Sequence, residues 1–168
     1  MDKNKIKSFA IWARRNLISA VSEKANRIGI YEDEIREAIP VQGGFKVDGI
    51  DGIFPFAKKD RDALVSQIRE KGFEQVMEEV AYTWFNRFMG LRYMEVNEYL
   101  PSGVRILSSE DKEKIEPDVL TKVSEIIDEL ELNAEEIYNL LDSGKTEDRE
   151  NAYRIILVKQ CNELGKII

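Results

Sequence analysis

The sequence contains no histidine and a single cysteine, Cys161. Without histidine, the chain lacks the commonest zinc ligand and the usual general base near neutral pH. One cysteine cannot form a disulfide within the chain, which fits the reducing cytoplasm. No apolar run reaches the length of a membrane span, and the charged N-terminus lacks the apolar stretch of a signal peptide. We therefore expect a cytoplasmic protein that has no membrane partner.

Basic residues are fewer than acidic residues, 25 against 32, so the net charge is −7. A domain built mainly to bind nucleic acid is usually basic, and the composition argues against such a dedicated module. The 168 residues are 43% hydrophobic and 34% charged. This balance is typical of one globular domain with a substantial core.

Hydrophobic residues at helical spacing predict a mostly helical chain. The predicted helices cover residues 2–28, 31–38, 59–71, 73–99, 117–130, 146–165 and a short segment from Asn133 to near Gly144. Residues 41–57 contain four glycines and predict a loop with one small hairpin around 45–47. Residues 104–107 predict a short strand or an extended connection. The expected fold is all-α, a single helical domain over residues 1–168.

The helix predicted over residues 73–99 carries apolar residues on almost every side, which is typical of a helix buried at the centre of its domain. Its predicted core residues are Val80, Trp84, Phe85, Phe88, Leu91 and Met94. The polar residues among them would need hydrogen-bond partners if buried, and they predict a buried network of Asn86, Arg87, Arg92 and Glu95. The alternative is a surface whose aromatic rings stack on bases beside Arg87 and Arg92. The encircling apolar residues favour the core.

The helix predicted over residues 2–28 is the one clearly basic segment. The apolar residues that recur at helical spacing and predict this helix are Ile6, Phe9, Ala10, Ala13, Leu17, Ala20, Val21 and Ile28. Its candidate contacts to DNA phosphate are Lys3, Lys7, Arg14 and Arg15. The alternative is an ordinary solvated face, which the overall acidity favours.

No motif in the chain predicts a catalytic, cofactor-binding or metal-binding residue. Residues 48–52 lack the alternating ligands and terminal glutamate of a calcium loop, and a turn is the simpler interpretation. Residues 110–112 resemble the Glu-x-Lys part of some nucleases, but no aspartate on a partner strand accompanies them. Cys161 is expected to be a small buried hydrophobe. The acidic run over residues 108–150 is a solvated surface or a docking face for a basic partner.

Residues 81–101 read Ala-Tyr-Thr-Trp-Phe-Asn-Arg-Phe-Met-Gly-Leu-Arg-Tyr-Met-Glu-Val-Asn-Glu-Tyr-Leu-Pro. This block resembles the N-terminal region of adenine-specific DNA methyltransferases of the BREX, or phage-growth-limitation, type, also known as methylase subunits of type II restriction enzymes. Residues 7–17 resemble the opening helix of that family. Residues 155–164 resemble the helix that precedes its methyltransferase core. The resemblance spans nearly the whole chain in the right order.

The resemblance implies a longer enzyme that uses S-adenosylmethionine to methylate adenine N6 in DNA during phage defence. Such enzymes need a glycine-rich turn after a strand and an Asn/Asp-Pro-Pro-Tyr motif for the flipped base, and this chain has neither. The uncapped apolar end at Ile167–Ile168 fits an expected catalytic domain beyond residue 168. That domain, DNA and other defence-system proteins are the expected partners of the chain, which by itself holds no cofactor.

The sequence therefore predicts a non-catalytic scaffold that helps to position DNA within the longer methyltransferase. One alternative is a protein-interaction module that docks other defence-system subunits through the acidic run. A second is an independent helical domain that binds nucleic acid through residues 2–28. A stand-alone enzyme is the least favoured alternative, because the chain lacks a catalytic motif.

Overall fold

A computed structural model describes residues 2–165, and the chain end at Ile167–Ile168 lies outside this part. The described part contains five α-helices, α1 (Lys3–Arg27), α2 (Lys58–Lys71), α3 (Phe73–Val96), α4 (Ala134–Asp142) and α5 (Thr146–Leu164), and three strands, β1 (Ala38–Val41), β2 (Gly44–Val47) and β3 (Ile50–Phe54). The fold is mostly helical, but the three-stranded antiparallel sheet corrects the expectation of an all-α protein. The chain forms two compact units, unit 1 (Met1–Asn86) and unit 2 (Arg87–Ile168).

Unit 1 has a helical core built from α1, α2 and the first half of α3. Asp2 caps α1, since its carboxylate accepts hydrogen bonds from the N–H groups of Asn4 and Lys5. The buried residues of this core are Ala25, Ile30, Val65, Ile68, Val76 and Met77. The helices predicted over residues 2–28 and 59–71 are thereby confirmed, because apolar residues at helical spacing meet in one cluster.

The sheet of unit 1 is a meander with the order β1-β2-β3. Phe45 of β2 is fully buried, and its ring stacks on that of Phe54 of β3 with 5.3 Å between the centroids. Gly44 is required beside this pair, because a Cβ atom there would lie 1.9 Å from the carbonyl oxygen of Phe54. The sequence indicated a small hairpin at this place but not the third strand.

Residues 31–37 are irregular and lead into β1, so the helix predicted over residues 31–38 is wrong. Arg61 of α2 supplies the physical reason. Its buried guanidinium donates hydrogen bonds to the carbonyl oxygens of Ile28 at 2.9 Å, Gly29 at 3.3 Å and Arg36 at 2.6 Å. Together with the isolated β-bridge between Ile30 and Ile35 and the hydrogen bond from the N–H group of Arg36 to the carbonyl oxygen of Gly29, these contacts hold residues 28–36 in a path that is not helical. Burial lowers the pKa of Arg61 from its ordinary value.

Helix α3 confirms the long helix predicted over residues 73–99, although it ends at Val96. Its burial is one-sided. Among the predicted core residues Leu91 is fully buried, whereas Val80, Trp84, Phe85, Phe88 and Met94 are half-buried. Tyr82, Met89 and Tyr93 are exposed, so the expected burial on all sides is not observed. A tyrosine or methionine can lie on a surface because its ring or stem still covers apolar neighbours.

Unit 2 consists of the second half of α3, an irregular segment over residues 97–133, and helices α4 and α5. Helix α4 begins as predicted at Asn133, whose side chain accepts a hydrogen bond from the N–H group of Glu136. The helix predicted over residues 117–130 is wrong, because two short 3₁₀ turns, Asp118–Leu120 and Val123–Glu125, occupy this place. Residues 104–107 connect without forming a strand and bend at Ile106 and Leu107, so the predicted strand is not observed there.

The buried side chains of unit 2 come from helices and irregular segments alike. They include Leu91, Val104, Ile106, Val119, Ile126, Leu130, Ile137 and Ile156. Their apolar contacts explain why a segment with little regular structure is nevertheless packed. Among residues 2–165, no helix is both long and apolar enough to cross a bilayer.

Candidate functional site

The first half of α1 is the most exposed helical segment of unit 1. Every residue from Lys3 to Trp12 is exposed, although the second half of the same helix enters the core. At 3.6 residues per turn, the spacing of Lys3, Lys7 and Arg14 places these three side chains on one side of the helix. We call these three residues the cationic side.

The four predicted phosphate contacts have different surroundings. Arg14 is paired with Glu78 of α3, and its Nε atom lies 3.0 Å from Oε1 of that carboxylate. Lys3, Lys7 and Arg15 are exposed, and no ion pair within residues 2–165 includes them. The structure therefore leaves three of the four cations available to an external anion and uses the fourth to hold α1 against α3.

A groove of about 400 Å³ lies between α1 and the first half of α3. Its walls are mainly apolar. The lining residues are Ala10, Arg14, Glu78, Glu79, Ala81, Tyr82 and Phe85. The groove begins beside the cationic side, since Arg14 belongs to both.

The two carboxylates of this groove are already matched by cations. Glu79 accepts hydrogen bonds from Nζ of Lys71 at 2.7 Å and from the amide of Gln75 at 3.1 Å. These hydrogen bonds lower the pKa of Glu79, and they outweigh the desolvation that would raise it. A carboxylate held in its charged form is a poor proton donor at neutral pH. Glu79 is therefore poorly suited to act as a general acid.

A second side of the exposed half of α1 carries Ile6, Phe9 and Trp12, which are 44%, 47% and 60% exposed. The rings of Phe9 and Trp12 are in contact, with 6.0 Å between their centroids. We call these three residues the apolar side. The sequence placed Ile6 and Phe9 on the apolar stripe of the predicted helix, but helical spacing does not reveal which part of such a stripe is covered. The sequence did contain one signal of this apolar side, because Trp12 lies three residues after Phe9 and so extends the apolar stripe of the helix.

In unit 2, Glu95 is a buried carboxylate that holds the chain beyond α3. Its Oε1 atom accepts hydrogen bonds from the N–H groups of Leu107 at 2.8 Å and Ser108 at 3.1 Å. Its Oε2 atom accepts one from Nη1 of Arg92 at 2.8 Å. The predicted pair of Arg92 and Glu95 is thus brought together.

The other members of the predicted buried network are not buried. Asn86, Arg87 and Arg92 are exposed, and Glu95 is its one buried member. The long side chain of Arg92 allows its guanidinium to bond Glu95 while reaching the surface, where it also donates to the hydroxyl of Ser108 at 2.7 Å.

Residues 109–118 form a fixed loop, which we call the acidic loop. Asp118 is buried and accepts hydrogen bonds from the hydroxyl of Ser109 at 2.6 Å and the N–H group of Glu110 at 2.9 Å. Burial opposes the charge of Asp118, but these hydrogen bonds together with the nearby charges of Lys122 and Lys114 outweigh it and lower its pKa. Glu116 pairs through both oxygens with Arg149 of α5, which lowers the pKa of Glu116.

The acidic loop presents one apolar side chain, Ile115, that is 100% exposed. Charged residues flank it on both sides in the sequence. A single apolar residue on a surface is ordinary, but both ends of this loop are anchored by hydrogen-bonded carboxylates. The sequence did not single out Ile115, because only the structure shows that its side chain is fully exposed.

Cys161, the single cysteine of the chain, is buried in unit 2, and burial raises the pKa of its thiol. A thiol of raised pKa is mostly protonated near neutral pH and reacts slowly. Within the described residues 2–165, no three Cys, Asp or Glu side chains cluster as metal ligands. We therefore treat the exposed surfaces described above, and not an enclosed reaction centre, as the candidate sites.

Two curated proteins match the chain over nearly its whole length, whereas no protein-family model matches it. The adenine-specific methyltransferase PglX of Lacticaseibacillus casei (strain Zhang) is 40% identical over 98% of the chain. The adenine-specific methyltransferase BrxX of Escherichia coli O9:H4 (strain HS) is 34% identical over 98% of the chain. The chain spans only 15% and 14% of the lengths of these relatives. It is therefore a homologue of one segment of the PglX and BrxX adenine-specific methyltransferases, as its sequence indicated.

Proposed function

We propose that this chain is a non-catalytic scaffold and DNA-positioning domain of a longer, S-adenosylmethionine-dependent N6-adenine DNA methyltransferase of phage defence or restriction–modification. One observation carries the proposal: the whole chain aligns with relatives about seven times as long, so it corresponds to a part of such an enzyme. The sequence supports a non-catalytic part, since it lacks both the glycine-rich turn and the Asn/Asp-Pro-Pro-Tyr motif.

The local structure around the glycines agrees with a cofactor site elsewhere in the longer protein. Gly43, Gly44 and Gly49 lie in the tight turns and strands of an antiparallel meander. A methyltransferase cofactor is expected at a glycine turn between a strand and a helix, where backbone N–H groups meet the ligand. The residues of the meander do not fit S-adenosylmethionine, and the chain alone should show no binding of it by calorimetry.

The DNA-positioning part of the proposal rests on Lys3, Lys7 and Arg15. These cations are exposed on α1, whereas Arg14 is engaged by Glu78. Cations that reach phosphate displace condensed counterions, so each contact makes binding more sensitive to salt. A local group of exposed cations such as Lys3, Lys7 and Arg15 can hold a duplex even when the chain as a whole is acidic. The proposal also places the protein in the cytoplasm, where it would meet such DNA.

The first test is the gene sequence downstream of this chain, where we expect the glycine turn and the Asn/Asp-Pro-Pro-Tyr motif. The second is a titration of the longer protein with duplex DNA at several salt concentrations. In the Lys3→Glu/Lys7→Glu variant, the slope of log K against log salt should become shallower by roughly 0.9 for each lost phosphate contact. The matched Lys46→Glu/Lys59→Glu variant changes the same charge outside α1 and should leave the slope nearer to that of the wild type. Equal slopes in the two variants would remove the cationic side from the proposal.

A second candidate function is a protein-interaction module that docks another defence-system protein through the acidic loop. The observation that favours it is Ile115, which is fully exposed on a loop anchored by Asp118 and Glu116. The partner would offer an apolar pocket with a basic rim. Co-purification with the products of neighbouring defence genes should be lost in the Ile115→Asp variant and kept in the Ile39→Asp control. Equal recovery in both variants would contradict this candidate.

A further inference from the structure

We propose that the apolar side of α1, Ile6, Phe9 and Trp12, is the surface through which this chain docks on the remaining polypeptide of the longer methyltransferase. The inference rests on the proposed function, because that function supplies the longer protein. The receiving surface would be apolar with carboxylates at its edge. Lys3 and Lys7 on the cationic side of the same helix would stay open to solvent or DNA.

The first step in the argument is the contrast within α1. From Val21 to Ile28 its apolar residues pack into the core of unit 1, while Ile6, Phe9 and Trp12 remain about half exposed. These three residues form one continuous strip, since they are spaced by three and their rings touch between Phe9 and Trp12. A contiguous apolar strip on a folded surface commonly marks an interaction site.

Charge argues against a second copy of the chain as the occupant. Residues 2–15 contain five cations and one carboxylate, that of Asp2, which already caps α1. Two copies paired along this part of α1 would bring like charges together, and such pairs are unfavourable. The same cations favour an occupant with carboxylates around its apolar centre.

The chemistry of the strip also argues against DNA. Phosphates attract lysine and arginine, but the backbone of a duplex offers nothing that buries isoleucine, phenylalanine and tryptophan together. Aromatic residues at the centre of a contact with charges at its edge are typical of protein–protein interfaces. The cationic side lacks such residues and therefore suits phosphate better.

The length of the relatives identifies the source of the partner. PglX and BrxX share this segment and extend over roughly six further lengths of it. An interface within one polypeptide forms at a high effective concentration, so a strip of three large residues is enough to hold it. The remaining polypeptide is therefore the occupant to which we assign this strip.

Thiol labelling tests the assignment, because a covered cysteine reacts slowly. Lys5 lies one turn before Phe9 and two turns before Trp12, on the apolar side. Lys7 lies two positions further, on the cationic side. The Lys5→Cys, Lys7→Cys and Lys59→Cys variants are compared in the chain 1–168 and in the full-length protein, against the slow background of buried Cys161. Lys59 of α2 is an exposed control.

Docking predicts that the full-length protein slows labelling of the Lys5→Cys thiol at least about tenfold, because reagent access limits the rate. The Lys7→Cys and Lys59→Cys thiols should react at similar rates in the two proteins. Equal rates for Lys5→Cys, or equal protection of Lys5→Cys and Lys7→Cys, would overturn the proposal. Protection of Lys5→Cys in the chain 1–168 by duplex DNA, or by raising its own concentration, would assign the strip to another occupant and overturn it too.

A second variant separates this surface from the proposed function. Adding Phe9→Ser/Trp12→Ser to the full-length Lys5→Cys protein should restore fast labelling, whereas adding Ile53→Ser, an equally exposed apolar change in β3, should not. If no longer protein is encoded, the proposed function and this inference both fail. If the longer protein exists and methylates DNA but the Lys5→Cys thiol stays reactive, only the docking surface is wrong.

Discussion

Units 1 and 2 each hold an irregular segment in place with a buried charge, but the charges have opposite signs. In unit 1 the guanidinium of Arg61 donates to three backbone carbonyls around residues 28–36. In unit 2 the carboxylates of Glu95 and Asp118 accept from backbone N–H groups over residues 107–110. Both arrangements use side chains, one in unit 1 and two in unit 2, in place of the backbone ladder of a helix or a sheet.

The difference between the two units determines how each should respond to acid. A guanidinium stays protonated at every pH that a folded protein meets, so the contacts of Arg61 do not titrate. Carboxylates lose their charge as the pH falls, so the contacts of Asp118 and Glu116 do titrate. Unit 1 is therefore expected to be the less acid-sensitive in its irregular segment.

The largest effect is expected for Arg61→Met, which keeps much of the apolar stem but removes all donors. Three buried carbonyl groups then lose their partners, and the free energy of unfolding should fall by about 3 kcal/mol or more. Urea unfolding measures the change. Arg69→Met on the exposed part of the same helix is the control and should change stability by less than about 0.5 kcal/mol. Comparable stability of the two variants would show that the carbonyls are satisfied without Arg61.

The next effect is expected for Glu95→Gln in unit 2. The amide keeps one acceptor oxygen but loses the charge and presents an NH₂ group to the donors that Glu95 now binds. Unfolding free energy should fall by about 2 kcal/mol, the value of a lost charged hydrogen bond. Glu125→Gln, at an exposed position of unit 2, should be nearly neutral. A neutral Glu95→Gln would mean that apolar packing alone holds residues 104–109.

A smaller effect is expected in how the free energy of unfolding depends on pH. The pKa values of Glu116 and Asp118 lie below their ordinary 4.5 and 3.8, so both groups stabilise the folded state above these values. That stability is lost as the pH falls through the lowered folded-state pKa values. Glu129, whose pKa is raised by burial, destabilises the folded state while it is charged, and protonation as the pH falls relieves this cost.

The Glu116→Gln/Asp118→Asn variant should therefore be less stable than the wild type by about 1–2 kcal/mol at pH 7, with the difference shrinking below pH 4.5. Urea midpoints measured across the pH range test this expectation. Glu110→Gln/Asp111→Asn makes the same charge change within the acidic loop, where neither carboxylate is buried, and serves as the control. A constant difference from pH 7 to pH 3 would contradict the titration of these carboxylates.

The smallest effects are expected when the N-terminal capping residues of α4 and α1 are replaced. Asn133→Ala should cost about 1 kcal/mol of global stability, because α4 begins beside the buried Ile137. Asp2→Ala removes a comparable cap from an exposed helix end, so we expect local fraying of residues 3–9 with little global change. Hydrogen exchange resolves the two cases. A large global loss for Asp2→Ala would show that the exposed half of α1 folds together with the core.

The five long or capped helices could be predicted because their signals are local. Apolar spacing, the cap at Asn133 and the glycine stop at Gly72 all act within a few residues. The helices predicted over residues 31–38 and 117–130 failed for a non-local reason, since Arg61 and Asp118 bind backbone groups distant in sequence. The hydroxyl of Thr121 also donates to the carbonyl oxygen of Asp118, a local hydrogen bond that competes with a helix.

The candidate surfaces could be predicted in part. Net sequence charge identified the basic character of residues 2–28, and the pair of Arg92 and Glu95 follows from their spacing of three on a helix. The pairing of Arg14 with Glu78 could not be predicted, because it joins residues 64 apart. The exposure of Ile6, Phe9 and Trp12 was also hidden, since periodicity identifies an apolar stripe without saying whether anything covers it.

The exposed ring of Trp12 gives this chain a spectroscopic property of its own. An indole that meets water emits at longer wavelength than one in an apolar setting, and the second indole, Trp84, is already half-buried in α3. A shift of emission to shorter wavelength will therefore report coverage of α1 without any added label. Replacing Trp12 with phenylalanine leaves Trp84 as the remaining indole of the chain and removes that shift. The tryptophan emission of this chain can then report whether a partner covers the exposed half of α1.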